Sequence, residues 1–518
     1  MRRVIGLFTV LIFALPLTLS AQVSSRGLLS QEALSRYGLE KMWQTQVDFD
    51  TARGRLVEVT MQVSNERGVT LFEIVDQGRR QVVSQHDRDA FNQEIGIEGA
   101  QAKANAIVAK IKEKLKEQGK PESEAPAVVR RLIPRVRLYA TSERGTVHAI
   151  DGETGKTVWS TTVGRASLPM SSAAANDDYV GVCNGSTLYI LDSETGSITN
   201  ERRVMGAPST GPAVSEDSVF VPMISGAVER YQIDEPKRPP YIFKSFGRPS
   251  AQPVVSLNSV TWPTESGKLY VGYSQEGGMR YRIEAKDAIT SAPVMSNDKI
   301  LFCSHDGYVY CVSEARGSIL WRFTTGERIS QSPLVVGDTV FAITDVGGIF
   351  SLSLETGLEN WVSSGVRGFI AGNAERIYCY DRTGNMHILS AKSGNRLGQL
   401  MTAGLDVKVQ NGVTDRIILG NSSGVLQCIR EVGQYWPDYR DPDANVPAAK
   451  KAAKKGPAAA PAAGAAEPAD GVDPFGGDDA KKPAEAGAED PFGDGAAKGE
   501  AMPEKEEGGA ASAEDPFK

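Results

Sequence analysis

Three segments of the chain share one fifteen-residue pattern: Gly145 to Trp159 (GTVHAIDGETGKTVW), Gly307 to Trp321 (GYVYCVSEARGSILW) and Gly347 to Trp361 (GGIFSLSLETGLENW). Each has Gly first, Gly eleventh and Trp last. Weaker copies fill the gaps, so that equivalent first positions fall at Gly145, Ser186, Gly226, Gly267, Gly307, Gly347, Gly384 and Gly424, with spacings of 41, 40, 41, 40, 40, 37 and 40 residues. A period near forty excludes a domain built around one central core. Each unit is a supersecondary element that buries its apolar face only against its neighbours.

Within a unit the apolar residues alternate with period two, as in Val340, Ala342 and Thr344 opposed by Phe341 and Ile343, which is a strand pattern with both faces largely apolar. Turn residues punctuate it at fixed places: Gly337-Asp338 and Asn297-Asp298 before the second strand, Asp306-Gly307 before the third, and Thr154-Gly155, Thr195-Gly196 or Thr356-Gly357 before the fourth. A proline recurs ahead of the first strand at Pro169, Pro212, Pro253, Pro293 and Pro333, a position where its missing N–H costs the ladder nothing. Four antiparallel strands in about forty residues describe a propeller blade. The spacing therefore predicts an all-β, eight-bladed β-propeller of four-stranded antiparallel blades.

Trp159, Trp321 and Trp361 occupy one fourth-strand position, and with Gly155, Gly317 and Gly357 they are the expected blade-docking residues, each ring filling the wedge between neighbouring blades. The run from Ala149 to Trp159 resembles the A-x-D-x-x-T-G-x-x-x-W docking motif of the PQQ-like (quinoprotein-type) β-propellers. That superfamily holds quinoprotein alcohol dehydrogenases and the non-catalytic outer-membrane assembly protein BamB. The resemblance spans about residues 125–431 of a propeller domain read as 125–440 and implies the fold; it leaves the task open, because one fold hosts unrelated functions.

Outside the repeats the organisation changes. Residues 1–21 read as a secretory signal peptide: Arg2-Arg3, an apolar run from Val4 to Leu19 broken by Pro16, and small residues up to Ala21. The mature chain is thus expected in the periplasm or cell envelope without stable membrane insertion, and no Cys follows the cleavage site to carry a lipid. Residues 22–97 predict strands that close or pack on the propeller, with Gly68 and Gly78 as turns. Gly38 to Trp43 (GLEKMW) resembles Gly357 to Trp361 (GLENW), which makes a Trp43 strand one candidate for completing the last blade; Trp436 is the other. Residues 98–124 predict an amphipathic helix and linker, with Ala104, Ile107, Val108, Ile111 and Leu115 on one face. Residues 441–518, rich in Ala, Pro, Gly and charge, predict a disordered tail. The tail says one phrase three times: Asp473-Pro474-Phe475, Asp490-Pro491-Phe492 and Asp515-Pro516-Phe517, a candidate multivalent partner motif.

Residues for chemistry are scarce. Five cysteines are too odd a number for a full set of disulfides, and a two-residue turn at Asp306-Gly307 places Cys303 and Cys311 on opposite faces, so all five read as small core residues. His148 and His387 repeat one third-strand position in separate blades and do not converge on a metal. Arg130, Arg131, Arg135 and Arg137 alternate with apolar residues and read as decoration of an edge strand. A net charge of −7 and export disfavour nucleic acid. The resemblance implies, for its enzymes, a quinone under a vicinal Cys-Cys disulfide with Ca²⁺ and an Asp base; no Cys-Cys pair occurs here. The expectation is a monomeric, non-catalytic scaffold for protein partners with no cofactor and no metal, and the resemblance implies cell-envelope or outer-membrane protein assembly as its setting; the alternative is a PQQ-dependent oxidoreductase of alcohols or sugars.

Overall fold

Each forty-residue repeat folds into one antiparallel sheet, and the described residues contain eight such sheets, seven of four strands and one extended to five. The structure is a computed structural model that describes residues 28–440, apart from 50–53, 77, 90, 120 and 122–124. The expected signal peptide, its expected cleavage after Ala21 and the three Asp-Pro-Phe phrases lie outside the described residues.

In each blade the innermost strand is short, as in Ala174–Ala175, Ala213–Val214 and Val254–Val255, because the inner edges of eight blades crowd round one axis. The core is correspondingly not central but layered between blades. One such layer joins Phe341, Ile349 and Trp361 to Phe369, Ile377 and Leu389 of the next blade.

The ring closes through its N-terminus. Strand β1 (Leu39–Gln46) pairs antiparallel with Val425–Glu431, from Leu39 opposite Glu431 to Gln46 opposite Val425, and so becomes the outermost strand of the eighth blade. Of the two candidates, Trp43 therefore holds the closing position, while Trp436 lies beyond the last strand and donates its indole N–H to Glu73 at 3.4 Å. Arg416, whose side chain is fully buried, locks the same seam with two 3.2 Å bonds from Nε and Nη2 to the carboxylate of Glu153 in blade one.

Blade one departs from the others. Its inner strand is the first half of β2 (Leu56–Asp76), where Leu56 to Ser64 face Ser142 to Arg135 of β4 (Val128–Ser142). Gly68, expected as a turn, instead lies in an irregularity between Ser64 and Val69 through which the strand continues, because β4 runs alongside and accepts the ladder again from Ile133 to Val128. The second half of β2 also pairs with β3 (Arg79–Ser84), and helix α1 (Gly96–Glu117) lays Ala100, Ala104 and Val108 on Phe72, Ile74 and Val83. The expected helix is thus not a lone insertion. It roofs a small three-stranded module, residues 64–134, which interrupts the connection between the first two strands of blade one. The arginines of β4 divide accordingly. Arg131 serves the module, whereas Arg135 and Arg137, expected on an edge, point between blades with side chains 12% and 7% exposed and pair with Glu194 of blade two.

The register around Asp306 also differs from expectation. Ser304 N–H donates to Tyr308 O at 3.2 Å, so the turn holds three residues, and Cys303 opposes Val309 while Cys311 opposes Leu301. Both thiols therefore share one face and one core cluster, unbonded. All five cysteines are buried and free, and burial pushes every one of their thiols above its ordinary value.

Candidate interaction surfaces

The expected docking residues act across blades rather than within one. Trp159 donates its indole N–H to Ser193 O at 2.9 Å and lies over Gly196 of the following blade; Trp321 donates to Leu354 O at 3.0 Å over Gly357; Trp361 donates to Ala391 O at 2.8 Å over Gly394. Trp43 repeats the contact across the seam, donating to Gly152 O at 2.8 Å over Gly155. A Cβ on Gly155 or Gly357 would stand 2.5 Å from a ring carbon, and both glycines have φ +71°, so the position is closed to other residues twice over. At Gly317 the ring is Tyr281, whose hydroxyl donates to Ser313 O at 3.2 Å. Gly398 holds the tryptophan position in blade seven, and the ring of Tyr37 from the N-terminal segment fills the space above it.

The hairpins between second and third strands and the crossovers between blades lie at one end of the strands, tied together by a repeated bond: Gly145 O accepts from Val163, Ser186 O from Val204, Gly226 O from Ser245 and Gly307 O from Thr325. On this loop face, successive loops of blades two to four expose Leu168 (39%), Met205 (69%), Ile224 (52%) and Phe246 (69%). Ile224 is fixed by its N–H to Ala207 O at 3.0 Å and Phe246 by its N–H to the Tyr270 hydroxyl at 2.9 Å, with Lys268 Nζ 4.5 Å above the Phe246 ring. Single exposed apolar residues are ordinary; four on adjoining, hydrogen-bonded loops form an arc of the kind that marks protein contacts.

Further round the same face the chemistry turns polar. His305 Nε2 meets Thr290 Oγ1 at 2.8 Å, Ser330 Oγ at 3.2 Å and Arg328 Nη2 at 3.2 Å. Arginine only donates, so Nε2 accepts, and burial together with Arg328 lowers the imidazole's pKa. Ser330 donates its hydroxyl to Asp345 Oδ2 at 2.7 Å.

The central channel holds a 310 Å³ cavity walled by Thr60, Met61, Ala174, Val214, Gln252 and Val254. These residues do not fit a quinone with its calcium: the walls carry Thr60, Gln62, Tyr139 and Gln252 but no carboxylate, the cysteines lie in the blade cores, and the described residues contain no group of three His, Cys, Asp or Glu able to hold a metal. Among those residues, no helix is long and apolar enough to cross a membrane.

The family model described as outer membrane protein assembly factor BamB matches residues 133–362 and 262–416, together more than half of the chain. The chain belongs to this family. Solved structures similar to it include BamB from Moraxella catarrhalis, 15% identical over 57% of this chain and 93% of that one, with a TM-score of 0.46. The computationally designed Ika8 protein is 14% identical over 56% and 92%, TM-score 0.48. The C-terminal WD40 domain of Sif2 is 12% identical over 57% and 92%, TM-score 0.45. No curated protein matches. Sequence reasoning missed the loop-face arc, because its four residues sit in loops where no periodicity singles them out.

Proposed function

We propose that this protein is an exported, non-catalytic propeller scaffold whose loop face docks a protein partner in the cell envelope. The arc of Leu168, Met205, Ile224 and Phe246 carries the reading, and the family's description as an outer membrane protein assembly factor supports the setting. The ring supplies rigidity: its apolar layers and indole contacts hold eight sets of loops in fixed relation, which lowers the ordering cost of binding. The Asp-Pro-Phe tail motifs are a second, multivalent element of the same reading.

Met205→Glu, Ile224→Glu and Phe246→Glu together are expected to leave the melting temperature nearly unchanged, since surface changes cost within about 0.5 kcal/mol. Each is expected to weaken the partner about tenfold, the effect of a residue central to an interface. Pull-downs from envelope extracts compare wild type, this triple variant and the Phe475, Phe492 and Phe517→Ala variant. Loss of a partner with the first triple supports the loop face. Loss only with the second moves the contact to the tail, and identical partner lists for all three sink the scaffold reading.

A further inference from the structure

The module on blade one carries a sheet edge that nothing else in the described structure uses. Its strand order is β3-β2-β4, with β3 outermost. The ladder places Asp76 opposite Arg79 and Phe72 opposite Val83, and Gln85 N–H bonds Thr70 O at 3.1 Å, so residues 79, 81 and 83 bond inward to β2. Arg80 and Val82 therefore turn N–H and C=O outward, and no described residue bonds them. Val82 is 40% exposed, and the centre of the edge has none of the prolines, bulges or lysines that usually blunt such strands.

Side chains on the face away from α1 add a second, independent element. Glu73, 3% exposed, forms an ion pair with Arg80 Nε at 2.5 Å and accepts a hydrogen bond from Arg131 Nε at 2.6 Å. Both arginines thus spend Nε on one carboxylate, and their Nη groups have no hydrogen bond to any described residue. Val75 (49%) and Val129 (43%) flank them in the open. The face already accepts peptide: the chain's own Tyr435-Trp436 segment lies on it, with the Tyr435 ring 3.7 Å from the Arg80 guanidinium carbon and the Trp436 indole on Glu73.

We propose that β3 receives an extended segment of a protein partner as an added strand, with a carboxylate side chain placed for the Nη groups of Arg80 and an apolar side chain two residues away against Val82. Main-chain bonds to Arg80 and Val82 supply affinity, and the carboxylate beside an apolar residue supplies selectivity. This surface is separate from the loop face, so the two readings fail separately.

The test uses full-length mature protein and a dye-labelled octapeptide, Thr-Glu-Thr-Val repeated twice, followed by fluorescence anisotropy. Val82→Pro removes an outward N–H and no ladder bond, so the fold is retained while strand addition is blocked. Val82→Lys serves if the proline variant fails to fold. The acidic peptide is expected to bind saturably to wild type and at least tenfold more weakly to Val82→Pro and to Arg80→Ala; the same peptide with Lys for Glu is expected not to bind. Equal binding to wild type and Val82→Pro, no binding of the acidic peptide, or binding of the lysine peptide overturns the proposal. So does a wild-type dimer in sedimentation that Val82→Pro converts to monomer, which would put a second copy on the edge.

Discussion

Deletion of the N-terminal segment through Gln46 is expected to destroy the cooperative unfolding of the whole propeller, although it removes only one strand of more than thirty. Strand β1 supplies every outer ladder bond of the eighth blade and two buried side chains, Leu39 and Trp43. Without it, Val425–Glu431 becomes a bare edge and the Trp43 slot over Gly155 opens to water. Emptying that slot alone costs about 3–5 kcal/mol, against a total stability of roughly 5–15 kcal/mol for a typical protein. Calorimetry checks this: the deletion should show a melting temperature lowered by tens of degrees or no transition at all. An unchanged melt would place closure elsewhere.

Trp159→Ala, Trp321→Ala and Trp361→Ala are each expected to cost about 3–5 kcal/mol in denaturant unfolding, by emptying a ring-sized space between blades and leaving a carbonyl without its indole donor. Trp159 and Trp361, both 8% exposed, should lie at the upper end; Trp321 is less buried and should lie lower. Losses below about 1 kcal/mol, the range of ordinary surface substitutions, would contradict the docking role.

The propeller was legible in the sequence because its determinants are local and repeated: hairpin glycines at one spacing and indoles at one strand position. Ring closure was legible for the same reason, since Gly38 to Trp43 copies a blade's own phrase. What stayed hidden depends on partners distant in sequence. Gly68 reads as a turn until β4, some sixty residues on, runs beside it and keeps the strand extended. Arg416 gives no sign of being buried because its partner Glu153 stands 263 positions away. The Cys303 and Cys311 faces hinged on whether one turn holds two residues or three, and the serine hydroxyl and glycine that decide it allow either. The docking surfaces were least legible, since an apolar residue in a loop looks the same alone as beside three others.

The central claim, that this propeller binds and performs no redox chemistry, is tested most directly by titrating the purified mature protein with PQQ and Ca²⁺ while following the quinone spectrum, then adding short alcohols and aldose sugars with an electron-accepting dye. A channel walled by Ala174, Val214 and Val254, with every thiol locked in a blade core, predicts no saturable spectral change and no dye reduction above the protein-free rate. Stoichiometric quinone binding with substrate-dependent dye reduction would contradict the account.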